Sequence, residues 1–133
     1  MNRSGLTRIL LAYGFLLALV GASTAQTGGI FGALAAAPDG SYGFSYNYTD
    51  VDAAQDRAME ECRKYAPNSC QIVRVFQNAC VAVARHLEGK DVILNWVSGY
   101  NAEERTRRAL NSCRKDGGTS CKITSEFCTG RAS

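Results

Sequence analysis

Apolar and polar positions alternate with period two in Tyr42-Gly43-Phe44-Ser45-Tyr46-Asn47-Tyr48, and again through Val92, Leu94 and Trp96. That is the pattern of a strand with one face turned inward. Each run follows a stretch of small residues that also reads as a strand, Phe31 to Ala36 and Cys80 to Arg85. Pro38-Asp39-Gly40 and Glu88-Gly89-Lys90 supply the turns between them. The period then changes. Ala54, Ala58 and Cys62 recur at i, i+4 and i+8, and Ala102, Thr106, Ala109, Leu110 and Cys113 form the matching face of a second helix. Asp50 stands where an N-cap is needed for the first helix. Asn101, with Glu104 three residues later, makes a capping-box-like start for the second. Arg57, Glu60, Arg107, Arg108 and Lys115 fall toward water. Polar turns then lead into closing strands from Cys70 to Phe76 and from Cys121 to Phe127.

This order occurs twice because the sequence does. Residues 57–76 match residues 108–127 at a constant shift of 51, with nine of twenty positions identical, among them Cys62/Cys113 and Cys70/Cys121. The expected fold is α+β: two β-β-α-β repeats, about 31–77 and 80–128. They are predicted to form one sheet with two helices on one face, related by a pseudo-two-fold and braced by disulfides.

Ahead of the repeats, Arg3 and Arg8 flank the start of an apolar run from Ile9 to Ala22, and Ser23-Thr24-Ala25 follows. The run is about 14 residues, against roughly 20 for a membrane-spanning helix. Residues 1–25 therefore read as a cleaved signal peptide, with 26–133 as one mature domain, secreted or periplasmic and with no membrane segment left. Cleavage also changes the charge. The formal +3 of the whole chain falls to 13 Lys and Arg against 12 Asp and Glu, which argues against a nucleic-acid or general polyanion binder.

All six cysteines lie in the mature part, and in an exported domain an even count implies disulfides. The repeat pairs Cys62 with Cys70 and Cys113 with Cys121, each joining a helix end to the strand after it. Cys80 and Cys128 remain, and their union would tie two strands side by side. Zinc sites favour close Cys-x2–4-Cys steps, and dithiol redox sites need Cys-x-x-Cys. Neither occurs, so no metal or cofactor is expected.

Four segments together resemble one family: Gly32-Ala33-Leu34-Ala35, Tyr42-Gly43-Phe44-Ser45-Tyr46, Ala58-Met59-Glu60-Glu61-Cys62 and Ala79-Cys80-Val81-Ala82-Val83-Ala84. It is the small exported bacterial domain known as domain of unknown function 4189, and the resemblance covers residues 32–128. It implies export and disulfides, and it brings no activity or catalytic residue with it.

Candidate chemistry is sparse. The rings of Tyr42, Phe44, Tyr46 and Tyr48 line one strand face, either packed beneath the helices or offered to a ligand. His86, the single histidine, reads as a solvated turn residue. Arg105, Arg107, Arg108, Arg114 and Lys115 make the second helix basic, in keeping with its dipole and with a solvated outer face. The chain is expected to be a non-enzymatic protein that binds an unknown protein or envelope component, inhibitor- or effector-like. The alternative is a small periplasmic hydrolase using surface carboxylates or His86, with Glu88 or Asp91 as its acid.

Overall fold

A computed structural model describes residues 28–88 and 91–130. The signal-peptide assignment and the Gly89-Lys90 part of the second turn lie outside the described residues. Eight elements follow one another: β1 (Phe31–Ala36), β2 (Tyr42–Tyr48), α1 (Val51–Arg63), β3 (Gln71–Gln77), β4 (Cys80–Glu88), β5 (Asp91–Ser98), α2 (Ala102–Lys115) and β6 (Lys122–Cys128). The helix starts are capped by side chains. Asp50 Oδ1 accepts from Ala53 N at 2.7 Å, and Asn101 Oδ1 accepts from Glu104 N at 2.9 Å.

The strands form two antiparallel three-stranded sheets, in the orders β2-β1-β3 and β5-β4-β6, rather than the expected single sheet. The central strands explain this. In β1, Ala33 and Ala35 join a core with Ala54, Ala58 and Cys62 of α1. In β4, Ala82 and Ala84 meet Ala109 and Cys113 of α2. The intervening residues Leu34, Val81 and Val83 meet one another, together with Phe76 and Phe127, in a third cluster between the sheets. A single sheet with both helices on one face would leave that second apolar set in water, at about 1.5–3 kcal/mol for each large side chain. The result is four layers: helix, sheet, sheet, helix. At the crossing from β3 to β4 the chain turns through Asn78, which has φ 47°.

Three disulfides brace the layers: Cys62–Cys70, Cys113–Cys121 and Cys80–Cys128. The first two join each helix to the strand that follows it. The third links ladder partners at the start of β4 and the end of β6.

A buried polar knot ties the C-terminal end of β6 back to the first sheet. Thr129 is fully buried. Its hydroxyl donates to Phe31 O and accepts from Asn47 N, both at 2.9 Å. Gly130 N donates to Asn47 Oδ1, and Ile30 N to Asn78 Oδ1. The chain ends of both sheets thus meet in satisfied hydrogen bonds rather than in apolar contact.

Arg105 corrects the expectation of a solvated basic helix. It is 5% exposed and sits on the inner face of α2. Its Nε and Nη2 donate to Glu126 Oε1 at 3.2 and 2.7 Å, and its Nη1 donates to the carbonyls of Gly99 and Tyr100. The guanidinium thereby ties the turn before α2 to β6. Of the two partners Glu126 is the more exposed, at 38%. Removing each therefore has unequal effects. Glu126→Ala strands a buried cation and is expected to cost about 2 kcal/mol. Arg105→Met leaves a carboxylate that water can reach, and should cost about half as much. Guanidinium unfolding of both variants checks the order, and a larger loss for Arg105→Met would contradict it.

Candidate functional site

β2 is an edge strand, and its outer edge is the floor of a groove of about 780 Å³. Every residue from Ser41 to Tyr48 except Asn47 lines it, so the groove runs along the strand and not across it. Arg57, Glu61 and Tyr65 form one lip, at the α1 side. Arg85 of β4 reaches the groove from the second sheet.

The local sequence explains why this edge lies so close to α1. Gly43 and Ser45 face the helix, and the aromatic residues between them face the other sheet. A Cβ at Gly43 would lie 2.5 Å from Ala58 O and 2.7 Å from Glu61 C, so only hydrogen fits there. The buried Ser45 hydroxyl donates to Ala54 O at 2.6 Å and accepts from Ala33 N at 3.1 Å. That last bond is needed because the β1–β2 register shifts between Phe31 and Ala33. Downstream, Asn47 adopts φ 63°, and the strand face inverts.

The aromatic stripe is divided as a consequence. Tyr42 and Phe44 pack in the inter-sheet core, and Tyr48 packs on the α1 side. Phe44 stacks on Phe127 with centroids 4.1 Å apart. The Tyr42 hydroxyl bonds Thr124 and Ser125 of β6, and its ring lies under the Arg85 guanidinium, 5.3 Å from the centroid. Tyr46, half exposed, and Tyr65, 72% exposed, carry the open aromatic surface of the groove.

Charge is distributed unevenly around it. Glu61 is committed to its own helix. The hydrogen bond from Lys64, with Arg57 beside it, holds its carboxyl below the ordinary carboxylate range. Asp39, in the turn before β2, is likewise lowered by the hydrogen bond that its carboxylate accepts from Ser41 N. Arg85 makes no ion pair among the described residues, and its Nε is buried without a hydrogen-bond partner.

His86 is not a turn residue. β4 continues past it to Glu88, and the ring is 3% exposed on the α2 side of the strand. Its Nδ1 accepts from Ser120 N at 3.1 Å, which fixes the start of β6. It lines neither this groove nor the smaller recess near Trp96. Glu88 is exposed at the strand end. Among the described residues no cluster of three or more His, Cys, Asp or Glu side chains is placed to hold a metal, and no helix is long and apolar enough to cross a membrane.

Four groove residues outside β2 escaped the reading from sequence: Arg57, Glu61, Tyr65 and Arg85. Arg85 had a signal. It continues the alternation of Val81 and Val83 into the inter-sheet layer, where a cation is out of place. Arg105 had one too, because the 51-residue shift aligns it with Ala54, a helix-core position.

Fold and site together define a disulfide-braced α+β domain with an open groove on one sheet edge. The chain belongs to the family described as Domain of unknown function (DUF4189), whose pattern matches residues 31–128. No curated protein and no solved structure matches it.

Proposed function

We propose that this domain is exported, folds oxidised, and acts by binding a protein or envelope component through the groove at β2. The observation that carries the reading is the groove itself: a continuous channel along a free strand edge, walled by Tyr46, Tyr65, Arg57 and Arg85. Export is supported by the commitment of all six cysteines to disulfides, which persist in oxidising compartments. Binding rather than hydrolysis is supported by His86, whose ring is enclosed and whose Nδ1 is engaged by a backbone amide.

The test compares two oxidised baits. Mature wild-type protein and Tyr46→Ala/Tyr65→Ala are presented to envelope extract and culture supernatant, and bound material is identified by mass spectrometry. Leu87→Ala serves as a control, since Leu87 is exposed on β4 and does not line the groove. The expected result is a specific set retained by wild type and the control and lost from the double variant. Equal retention by all three would place the binding surface elsewhere. Turnover of a cell-wall substrate abolished by His86→Ala would replace the reading with a hydrolase.

A further inference from the structure

Resting on that reading of the groove, we infer that its occupant is an extended acidic segment of a partner protein, added as a fourth strand to the free edge of β2 with a carboxylate on Arg85.

The first argument is the edge. An edge strand leaves alternate backbone N–H and C=O groups unpaired, and proteins guard such edges with charges or proline. The four edge strands here differ in this respect. β3 carries Arg74 and β6 carries Lys122 and Glu126, but β2 has no charged residue and no proline. The unguarded edge is also the grooved one. Residues from both faces of β2 line the channel, as an added strand about 4.8 Å away in the sheet plane requires.

The second argument is what the rings cannot do. A sugar platform needs a free aromatic face. Phe44 spends one face on Phe127, and Tyr42 lies under Arg85 with its hydroxyl tied to β6. These two rings are committed to the fold, so the groove offers its backbone edge with only Tyr46 and Tyr65 as open rings beside it.

Charge is the third. Glu61 is held by Lys64 and Arg57, whereas Arg85 has no carboxylate partner among the described residues. Asp39 is the one acid that feels its charge, and at longer range than an ion pair. The groove therefore presents a guanidinium with no carboxylate in contact, which an acid on the incoming strand would meet.

The experiment selects displayed random dodecapeptides on the mature oxidised protein, then measures the enriched sequences as synthetic peptides by fluorescence anisotropy. Enriched peptides should be acidic, and Arg85→Gln should weaken them about tenfold. Replacing the peptide's key Glu with Gln should weaken binding to wild type equally and add nothing in the Arg85→Gln background. Hydrogen exchange should slow at amides within residues 42–48. If Arg85→Gln fails to fold by near-UV circular dichroism, the Glu→Gln peptide on wild type decides the charge contact. Neutral or basic enrichment, binding indifferent to Arg85 and to the peptide acid, or unchanged β2 exchange overturns the inference. So does a concentration-dependent dimer that protects β2. Tetra-N-acetylglucosamine is run in parallel. If it binds and Tyr46→Ala/Tyr65→Ala abolishes that binding, the groove stands and the peptide strand falls. Capture indifferent to the groove variants removes the groove itself.

Discussion

Replacing Cys80 and Cys128 together with alanine is expected to lower the unfolding free energy by roughly 4 kcal/mol, a large share of the 5–15 kcal/mol of a typical small domain. The bridge closes a sequence separation of 48, whereas Cys62–Cys70 and Cys113–Cys121 each close 8. In the chain-entropy account each short bridge contributes about 2.6 kcal/mol. The long bridge also stands where the fold's ends converge. Cys128 precedes Thr129, whose buried hydroxyl spans Phe31 O and Asn47 N. Non-reducing guanidinium unfolding of the Cys80/Cys128 and Cys62/Cys70 double variants gives the comparison. A loss at the long bridge no greater than at the short one would show that loop closure is not what these bridges contribute.

Gly43→Val is expected to be the most damaging substitution in the site, at about 3 kcal/mol or more. The obstruction is backbone rather than side chain: Ala58 O and Glu61 C stand 2.5 and 2.7 Å from where a Cβ would go. No rotamer change relieves that, so α1 itself must move. Because Arg57, Glu61 and Tyr65 line the groove from the α1 side, the same substitution should also abolish ligand capture. Gly28→Ala is the control, since a Cβ there meets nothing within 4 Å and should change stability by less than about 0.5 kcal/mol. Urea unfolding of the pair measures the difference. A Gly43→Val protein as stable as wild type would mean that the helix rides farther from β2 than the structure places it.

The second half of the molecule solves the same contact differently. By register, Ala35 faces Gly43 in the first sheet and Ala84 faces Asn95 in the second. Asn95 holds a full side chain between strand and helix, and Ser112 Oγ donates to its Oδ1 at 2.8 Å. Halves that are alike in sequence thus present unlike helix–strand seams, and the close seam belongs to the half that carries the groove.

Local sequence settled the elements. Alternation in Tyr42–Tyr48, the Ala54/Ala58/Cys62 stripe, and the caps at Asp50 and Asn101 all report short-range backbone preferences, and these survive in any arrangement of the layers. Long-range packing settled the rest. Whether six strands make one sheet or two depends on where Leu34, Val81, Val83 and Phe127 find apolar partners, and those partners lie far apart along the chain. The division of the aromatic stripe turns on one residue, Asn47, whose positive φ is stabilised by contacts with Thr129 and Gly130. His86 and Arg105 were misplaced for the same reason. A polar side chain is buried only where distant atoms satisfy it, and Ser120 N and the Glu126 carboxylate are supplied by the fold.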